Sequence, residues 1–324
     1  MTSLGVRAIR AEARFLSPRE IAAGAATVTA RRIVIATGAA PYLPPLAGLD
    51  RVPYRTSDTI FEGRDCPEHL IVVGGGATGL ELAAAHGLLG ARVTLLEAER
   101  VLGGTDPELA ALLAQSLRRA GLAIQEGARA VAVVPTGDGI AVTCAGGRRI
   151  EGSHLLIAAG RRAALASLDL AKAGIVCDST GALVLDRRLR TSNRRAYAMG
   201  DAAGVPHSVQ RAAYHAGIVI RNALFRWPVR ADERALPSAV HTVPEFAAVG
   251  LGEAEARARH PRDLAILRWP FFDSDRAQIE GAAAGLVKIM ALRNGRVLGA
   301  QILGEAAGEA IGIWALAISA GSRL

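Results

Sequence analysis

Three glycines carry the clearest chemical signal in this sequence. Gly74, Gly76 and Gly79 form a G-x-G-x-x-G pattern that follows the apolar run 70–73 and opens an Ala/Leu-rich stretch. A glycine turn between a strand and a helix lets backbone amides and the positive end of the helix approach a pyrophosphate. The first glycine permits a tight turn, the second opens the backbone to the phosphates, and the third lets helix and strand pack closely. The pattern predicts a dinucleotide-binding turn.

An acid at the end of the next apolar run extends this pattern. Glu97 lies eighteen residues after Gly79, where a carboxylate can accept both hydroxyls of an adenosine ribose and would repel a 2′-phosphate. The sequence therefore favours NADH over NADPH, although Arg92 and Arg100 lie near enough to weaken that preference. A glycine-rich turn in an ordinary α/β domain is the alternative. The order of strand, helix, second strand and acid argues against it.

The elements that would position these residues alternate between short apolar strands and helical stretches, which is typical of a parallel sheet covered on both faces. Asp106-Pro107 is a helix start, with an N-cap followed by proline. Asn294-Gly295 favours a tight hairpin turn. The predicted elements are strands at 32–36, 70–73 and 91–97, short strands within 123–159, helices at 79–89, 106–121, 211–226 and 305–320, and a hairpin at 285–303.

Three other apolar runs also end at a glycine. They finish in Thr37-Gly38, Ala159-Gly160 and Gly200-Asp201. Each one alone is interpreted as a strand-terminating turn, but a carboxylate at position 201 could also hydrogen-bond the hydroxyls of a ribityl chain. Their order and spacing around the dinucleotide turn favour more than a single nucleotide-binding domain.

The composition excludes several classes of protein. Of the 324 residues, 51% are hydrophobic and 21% are charged, which excludes a disordered chain. Charged residues interrupt the most apolar windows, so no membrane span is predicted. The N-terminus lacks the apolar segment of a signal peptide, so we predict a cytoplasmic protein. Three scattered cysteines predict neither a disulfide framework nor a metal site.

Arginine carries almost all of the positive charge. There are 38 Lys and Arg against 30 Asp and Glu, a net charge of +8, and only two of the 38 are lysines. The arginines are spread along the whole sequence, and aromatic residues make up only 4%. Nucleic-acid surfaces concentrate basic residues and often add stacking rings. We therefore predict no nucleic-acid partner and keep DNA or RNA binding as a weaker alternative.

Six segments taken together resemble the FAD-dependent pyridine nucleotide–disulfide oxidoreductases, and most nearly their lipoamide dehydrogenase and mercuric reductase branch. They are IVIATGAAP, VVGGGATGLELA, LLIAAGRR, YAMGDAAG, HTVPEFAAVGL and GLVKIMALRNGRVLGAQILG. The resemblance implies a Rossmann-like α/β fold with two dinucleotide-binding domains, the FAD domain being incomplete, and an α+β interface domain that forms a homodimer. The implied parts are a partial FAD-binding domain at 1–58, an NAD(P)H-binding domain at 59–178, a return segment of the FAD domain at 179–232 and a truncated dimerisation domain at 233–324.

The same resemblance implies cofactor contacts. It puts Glu81 near the nicotinamide half of NAD(P)H, Glu97 on the adenosine ribose and Asp201 on the ribityl chain of FAD. The segment 207–210 falls where the family touches the flavin, although its residues depart from the usual pattern. The residues implied for NAD(P)H are Gly74, Gly75, Gly76, Ala77, Thr78, Gly79, Glu81, Glu97 and Gly160. Those implied for FAD are Thr37, Gly38, Ala39, Asp201, His207 and Gln210.

The sequence also departs from the family pattern. Residues 1–32 contain no G-x-G-x-x-G to hold the FAD pyrophosphate. Cys66, Cys144 and Cys177 do not form a C-x-x-x-x-C redox pair. The sequence stops at Leu324, before the His-Pro-Thr segment with which the family completes the partner's active site. We therefore expect a chain truncated at both ends, with no catalytic residue of its own.

These features predict an oxidoreductase of the disulfide-reductase type, in which a hydride passes from NADH to the flavin and on to a disulfide or metal-ion acceptor. Without the redox cysteines, we expect NADH binding, weak or no FAD binding, and impaired turnover with dithiol-dependent substrates. One alternative is a flavin reductase without a redox dithiol, which would reduce a quinone, oxygen or ferredoxin. Another is a non-catalytic nucleotide-binding remnant.

Overall fold

The computed structural model describes residues 2–324, which fold into two compact units. The first unit contains the chain up to residue 40 together with residues 161–233. The second unit contains residues 41–160 and 234–324. The chain therefore changes unit after residues 40, 160 and 233, whereas the predicted domain boundaries follow residues 58, 178 and 232. The assignment of cofactor domains stays a prediction.

Most of the predicted elements are confirmed to within two residues. The strands are β1 (Ala13–Phe15), β2 (Glu20–Ala23), β3 (Ala26–Thr29), β4 (Ile33–Ile35), β5 (Ala39–Pro41), β6 (Arg55–Thr56), β7 (His69–Val73), β8 (Arg92–Leu96), β9 (Ala123–Gln125), β10 (Ala130–Pro135), β11 (Ile140–Cys144), β12 (Arg149–Gly152), β13 (His154–Ile157), β14 (Arg161–Ala163), β15 (Ala196–Ala198), β16 (Ser238–Val240), β17 (Glu245–Gly250), β18 (Leu264–Pro270), β19 (Leu286–Leu292) and β20 (Val297–Gly304). The helices are α1 (Ala77–Leu88), α2 (Pro107–Arg119), α3 (Val209–Ala223), α4 (Glu253–Arg259), α5 (Asp275–Ile279) and α6 (Ala307–Ala320).

A five-stranded parallel sheet, ordered β6-β13-β7-β8-β9, forms part of the second unit. Successive side chains of a strand face opposite layers. Leu70 and Val72 of β7 therefore lie in the core that α1 and α2 share, whereas Ile71 and Val73 lie in the core shared with the antiparallel sheet β10-β11-β12. All four are buried. The continuous apolar run of this strand thus reflects burial on both faces.

Local sequence signals set the starts of the two helices on this sheet. α1 begins two residues before its predicted start, because Gly76 is its N-cap. α2 begins as predicted. The carboxylate of Asp106 accepts hydrogen bonds from the amides of Glu108 and Leu109, at 2.9 and 3.4 Å, and Pro107 occupies the first helical position.

A five-stranded antiparallel sheet, ordered β16-β17-β20-β19-β18, also belongs to the second unit and packs against α6. The predicted hairpin is confirmed as β19 and β20, with Gly295 in its turn at a φ of 87°. α6 has 14 residues and leaves Ile313 and Leu316 exposed. Within residues 2–324, no helix combines the length and the apolar content that crossing a membrane requires.

The first unit contains the antiparallel sheet β1-β2-β3 and a parallel pair formed by β4 and β15. The register of the parallel pair places Ile33 opposite Ala196 and Ile35 opposite Ala198. These four side chains are buried in the core of the unit, whereas Val34 is 43% exposed. Only one face of β4 is therefore covered.

One helix of this unit differs from its prediction. The expected helix at 211–226 is wrong at its end, because α3 stops at Ala223, before Pro228. The side-chain amide of Asn222 donates hydrogen bonds to the carbonyls of Ile218, at 3.0 Å, and of Val229, at 2.7 Å. The chain thus turns back on the helix before it reaches the proline.

Candidate nucleotide-binding site

The predicted glycine turn lies where β7 ends and α1 begins, at the carboxyl edge of the parallel sheet. Gly74 has a φ of 115°, a region that disfavours side chains, and a Cβ there would lie 2.4 Å from the carbonyl oxygen of Ala158. A Cβ on Gly79 would lie 1.9 Å from the carbonyl oxygen of Gly74. The first and third glycines therefore let strand and helix meet where no side chain fits.

Gly76, the N-cap of α1, differs from these neighbours, because a Cβ added there would have no atom within 4 Å. No side chain caps the helix at this residue. The amide of Leu80 donates to the carbonyl of Gly76 at 3.0 Å. The amides of Ala77, Thr78 and Gly79 thus precede the hydrogen-bonded part of the helix. The result is an open, amide-lined helix N-terminus that suits a pyrophosphate.

The carboxylate of Glu97 lies beside this turn, just after β8. Its Oε2 accepts a hydrogen bond from the amide of Gly75 at 2.7 Å, and its Oε1 accepts one from the amide of Glu99 at 3.0 Å. A Cβ on Gly75 would lie 2.9 Å from the Cβ of Glu97. Two backbone amides therefore fix the orientation of the carboxylate, and each oxygen keeps a lone pair for a further donor.

The two arginines that weakened the cofactor prediction have other positions and partners. Arg92 begins β8, whereas Glu97 follows its last residue, so the two lie about 16 Å apart along the strand. The guanidinium of Arg100 donates hydrogen bonds to the carbonyls of Gly103 and Thr105, at 3.2 and 3.3 Å. Arg92 thus lies at the opposite edge of the sheet from Glu97, and the guanidinium of Arg100 is hydrogen-bonded within the loop after β8.

Another predicted residue, Gly160, follows β13, which borders β7 on the side away from β8. The chain leaves β7 towards β8 on one side and returns in β13 on the other, so a topological switch point lies between β7 and β13. The amide of Ala158 donates to the carbonyl of Val73 at 2.8 Å. Gly160 has a φ of 116°, and an added Cβ would meet no atom within 4 Å. It therefore lies at the same edge as the glycine turn.

Glu81 connects α1 with the antiparallel sheet of the same unit. Its Oε1 accepts a hydrogen bond from the amide of His241 at 2.8 Å. The ring of His241 is 61% exposed, and its Nδ1 lies 3.5 Å from the carboxylate of Glu245. The backbone of His241, rather than its ring, thus contacts the predicted nucleotide helix.

In the first unit, the predicted FAD contacts follow the parallel strands β4 and β15. Thr37, Gly38 and Ala39 come after β4, and Asp201 comes after β15. The parallel register brings the two carboxyl ends to one edge. Gly38 has a φ of 69°. The guanidinium of Arg161 donates a hydrogen bond to the carbonyl of Ala39.

His207 lies next to Asp201, with 3.6 Å between its Nδ1 and Oδ1 of the carboxylate. Both ring nitrogens are buried and have no hydrogen-bond partner within residues 2–324. A buried polar group without a partner is uncommon and calls for a ligand or water. Gln210 lies in the first turn of α3 and is exposed. His207 is thus brought to Asp201, and within residues 2–324 no hydrogen bond or ion pair connects the side chain of Gln210 to either residue.

These residues fit only part of an FAD molecule. The carboxylate of Asp201 and the unpartnered ring of His207 suit the hydroxyls of a flavin side chain. The residues that precede β4 form the antiparallel sheet β1-β2-β3. Over residues 2–40, no glycine turn opens a helix beside β4. Within residues 2–40, no helix N-terminus beside β4 therefore offers the FAD pyrophosphate the backbone amides that α1 would offer to NADH.

A buried charge cluster joins α2 to the antiparallel sheet of the second unit, and the sequence-based predictions missed it. Lys288 of β19 is 2% exposed. Its Nζ donates to the carboxylates of Asp106, at 2.6 Å, and Glu108, at 2.8 Å, and also to Glu253. Arg268, opposite Lys288 on β18, bonds Glu108 and Glu253 at 3.0 and 3.1 Å. Since Asp106 also caps α2, the cluster attaches that helix to β19.

The cluster shifts the pKa values of its members. Burial alone would raise the pKa of Glu108 and Glu253, but the hydrogen bonds from Lys288 and the arginines outweigh it and lower both. Burial alone would lower the pKa of Lys288, but its hydrogen bonds to the carboxylates outweigh it and raise the value. Because 182 residues separate Lys288 from Asp106, no local spacing pattern reveals this pairing.

The three cysteines are free thiols in separate parts of the fold. Cys66 precedes β7 and is exposed, Cys144 ends β11 and is buried, and Cys177 lies in the first unit. Burial raises the pKa of the Cys144 thiol. None of the three is paired with another as a redox dithiol.

Comparison with known families identifies the class of the protein. Residues 1–216 match the model of the pyridine nucleotide-disulphide oxidoreductases, and residues 236–324 match the dimerisation domain of that family. The chain belongs to the pyridine nucleotide-disulphide oxidoreductase family, as its motifs predicted. The enzymes of this family are oxidoreductases that depend on FAD and NAD(P).

Individual relatives agree with this assignment. The mercuric reductase of Streptomyces lividans is 39% identical over 306 residues, which cover 92% of this chain and 64% of that protein. The dihydrolipoyl dehydrogenase of Thermus scotoductus is 35% identical over 334 residues, which cover 98% of this chain and 70% of that protein. Against the mercuric reductases of S. lividans, Bacillus cereus and Lysinibacillus sphaericus, the chain spans 51% to 64% of the relative's length.

Solved structures agree as well. The HOCl-induced flavoprotein disulfide reductase RclA of Escherichia coli aligns with a TM-score of 0.89 at 29% identity, over 97% of this chain and 73% of that one. LpdA of Mycobacterium tuberculosis aligns with a TM-score of 0.88 at 31% identity, over 99% of this chain and 72% of that one. The predicted class, an α/β fold with Rossmann-like sheets and an α+β interface domain, is confirmed.

Proposed function

We propose that this chain is an NADH-binding oxidoreductase whose nucleotide site lies at the carboxyl edge of β7, β8 and β13. The space in front of Gly76 supports this proposal most strongly, because it is open in a turn that is otherwise closely packed. The amides of residues 77–79 would receive the pyrophosphate. Gly160 and Glu81 would border the nicotinamide half, as the family resemblance implies.

Glu97 supports the choice of NADH. The amides of Gly75 and Glu99 hold its carboxylate, which would accept hydrogen bonds from both hydroxyls of the adenosine ribose. A 2′-phosphate in that position would face a like charge. The position of Arg92 at the opposite edge of the sheet and the hydrogen bonds of Arg100 to the carbonyls of Gly103 and Thr105 support this preference.

Replacing Gly76 with Ala tests the site. The added methyl group meets no protein atom and would occupy the space of a phosphate, so we expect normal folding and an NADH affinity reduced about tenfold or more. Gly137→Ala, in the turn between β10 and β11, also meets no atom within 4 Å and is the matched control. Fluorescence titration with NADH and urea unfolding measure the two properties. Wild-type affinity in Gly76→Ala, or a wild-type chain that does not bind NADH, would overturn the proposal.

The flavin site is the less complete part of the proposed function. Bound FAD supplies the hydride acceptor and the route for electrons to a second substrate. Thr37, Gly38 and Ala39 would line the flavin, Asp201 would accept a hydroxyl of the ribityl chain, and His207 and Gln210 would lie near the ring. Because residues 2–40 supply no amide-lined turn beside β4, we expect the described residues to bind FAD weakly and to lose it on desalting. A yellow sample that keeps its FAD would contradict this.

A disulfide or a metal ion is the proposed electron acceptor, in line with the dihydrolipoyl dehydrogenases and mercuric reductases among the relatives. The separate positions of Cys66, Cys144 and Cys177 favour a second candidate, a flavin reductase without a redox dithiol that passes electrons to a quinone, oxygen or ferredoxin. They also favour impaired activity with disulfides.

Acceptor assays with added FAD separate these candidates. NADH oxidation with an artificial dye but with neither a disulfide nor Hg²⁺ would favour the dithiol-free reductase. Oxidation with a disulfide or with Hg²⁺ would favour the first candidate. Normal NADH binding without oxidation by any acceptor would identify a non-catalytic nucleotide-binding protein.

We further infer that the chain forms a homodimer through residues 233–324. The match of residues 236–324 to the dimerisation domain supports this, as do the exposed apolar side chains Ile313 and Leu316 on α6. Light scattering that shows a monomer or a polydisperse sample would contradict it. A cytoplasmic location remains part of the prediction.

A further inference from the structure

The net charge of the chain is concentrated in one of its units. Residues 1–40 and 161–233 carry 18 Lys and Arg against 8 Asp and Glu, a net charge of +10. Residues 41–160 and 234–324 carry 20 against 22, a net charge of −2. Although the arginines are spread along the whole sequence, the net positive charge is therefore confined to the first unit. The sequence does not show this difference in charge, because the first unit consists of two segments that lie 120 residues apart.

Two arginine pairs stand side by side at the amino ends of the parallel strands of this unit. Arg31-Arg32 comes directly before β4, and Arg194-Arg195 comes directly before β15. The strands are parallel, with Ile33 opposite Ala196. The amide of Ile33 donates to the carbonyl of Arg195 at 2.9 Å. The two pairs are thus neighbours across the sheet, about 5 Å apart at the backbone.

The turn between β1 and β2 adds a fifth arginine. The carbonyl of Arg19 accepts a hydrogen bond from the amide of Ala30 at 2.9 Å, one residue from the first pair. The side-chain amide of Asn193 donates to the carbonyl of Pro18 at 3.1 Å, one residue from the second pair. This turn therefore lies against both pairs. The arginine patch is defined as Arg19, Arg31, Arg32, Arg194 and Arg195.

The patch is solvent-accessible and its charge is not neutralised locally. Four of its side chains are exposed, and Arg195 is half-buried. Over residues 2–324, none of the five forms an ion pair, whereas Arg190 and Arg211 of the same unit do, with Asp186 and Glu233. The carboxylate of Glu20, which follows Arg19, accepts a hydrogen bond from a serine hydroxyl. Five adjacent positive charges thus remain available to an anion.

We propose that the arginine patch binds the phosphate backbone of double-stranded nucleic acid. A guanidinium group stays charged at physiological pH and matches a phosphate with two parallel hydrogen bonds. A duplex presents a dense and regular row of phosphates, about one charge per 1.7 Å of its axis. The excess of ten positive charges in the unit adds a long-range attraction to such a polyanion.

The surroundings of the patch favour a duplex over a single strand. Binding to single strands relies on bases stacked on exposed aromatic rings. The aromatic residues on the strands next to the patch, Phe15 of β1 and Tyr197 of β15, are 2% and 4% exposed. Recognition would therefore involve phosphates rather than bases and would not depend on base sequence.

The proposed surface and the predicted FAD contacts lie at opposite ends of the same strands. The arginine patch lies at the amino ends of β4 and β15, whereas Thr37 and Asp201 follow their carboxyl ends. The proposed NADH site belongs to the other unit. Changes in the patch should therefore leave NADH binding unaltered, which distinguishes a failure of this proposal from a failure of the proposed function.

Fluorescence anisotropy with a labelled DNA duplex, at several salt concentrations, tests the proposal on the full chain. The variant Arg31→Gln/Arg32→Gln/Arg194→Gln/Arg195→Gln removes four charges from the patch. The control Arg262→Gln/Arg293→Gln/Arg296→Gln/Arg323→Gln removes four exposed charges from the second unit. We expect the patch variant to bind the duplex about tenfold more weakly or worse, and the control to bind like the wild type. The slope of log K against log salt concentration should become less negative by about 0.9 for each phosphate contact that is lost.

Several outcomes would overturn the proposal. These are no binding of the wild type to DNA at low salt, equal losses in the two variants, or tighter binding of a single strand than of the duplex. Anionic vesicles or polyglutamate bound as tightly as DNA, with the same dependence on the patch, would assign the patch to a different partner. Unchanged NADH binding and circular dichroism in both variants show that the fold is intact.

Discussion

Each unit has a parallel strand that ends at a glycine, but the chain continues differently after it. In the second unit, β7 passes through Gly74 directly into α1, so a helix N-terminus and its amides lie at the carboxyl edge. In the first unit, β4 passes through Gly38 into the short strand β5. A strand-ending glycine alone thus specifies a turn. The element that follows decides whether the turn can bind a phosphate.

The two units also differ in how they support these edges. In the second unit, a five-stranded sheet lies between two layers, and the cluster around Lys288 attaches α2 to the neighbouring sheet. In the first unit, two parallel strands leave Val34 exposed, and the only lysine, Lys172, forms a surface ion pair with Asp169. The comparison predicts that changes in the second unit have larger effects.

The largest expected effect comes from the two lysines. Lys288→Met leaves the buried carboxylate of Asp106 without its cation, whereas Glu108 and Glu253 keep Arg268. Losing one partner of a buried ion pair lowers the free energy of unfolding by about 3–5 kcal/mol. Lys172→Met, the matched control in the first unit, should unfold like the wild type, because its ion pair is exposed. Urea unfolding followed by circular dichroism measures both. Equal unfolding midpoints would show that the cluster does not stabilise the second unit.

The pH dependence of unfolding is the next largest effect. The pKa values of Glu108 and Glu253 are lowered from 4.5, so their stabilisation is present above pH 4.5 and is lost as the pH falls through the lowered values. The pKa of Lys288 is raised from 10.5, so its contribution is complete below pH 10.5 and is lost at higher pH. The urea midpoint should fall on acidification, and less steeply in Lys288→Met. Parallel curves for the two proteins would contradict the coupling.

A smaller effect concerns cofactor choice. Glu97→Gln removes the charge that would repel a 2′-phosphate, so the ratio of NADH to NADPH affinity should fall about tenfold, or about 1.4 kcal/mol. Glu99→Gln, two residues along, is the control and should keep the wild-type ratio. Titration with both nucleotides gives the ratios. An unchanged ratio in Glu97→Gln would mean that this carboxylate does not contact the ribose.

The smallest effect separates the two glycine turns. Gly38→Ala puts a side chain at a φ of 69° without a steric clash, which should lower stability by about 1 kcal/mol and leave NADH binding unchanged. Gly76→Ala should leave stability unchanged and weaken NADH binding. If Gly38→Ala weakened NADH binding as Gly76→Ala does, the proposed division between the two edges would be wrong.

The sequence predicted the local features well, because their causes lie within a few residues. The N-cap at Asp106, the hairpin around Gly295 and the strand–turn–helix at Gly74 each depend on backbone conformations that their own residues favour. The family assignment followed from motifs of the same kind. Among the candidate site residues, Gly74 and Gly79 could be located because close packing leaves them no substitute.

Features that depend on distant parts of the chain could not be predicted in this way. The partners of Lys288 lie on α2 and α4, and the arginine patch joins three segments of the first unit. The end of α3 was wrong because Val229, beyond the helix, forms a hydrogen bond with Asn222. Composition and periodicity contain no information on such pairings, which the tertiary fold alone establishes.

The unequal environments of the two lysines have a practical consequence. An amine-reactive reagent requires an accessible, deprotonated amine, and the buried, triply bonded Nζ of Lys288 meets neither condition. Lys172, 52% exposed, is therefore the lysine on which a dye, biotin or cross-linker would be attached. Conjugation through lysine would mark the first unit selectively and leave the NADH-binding turn chemically untouched.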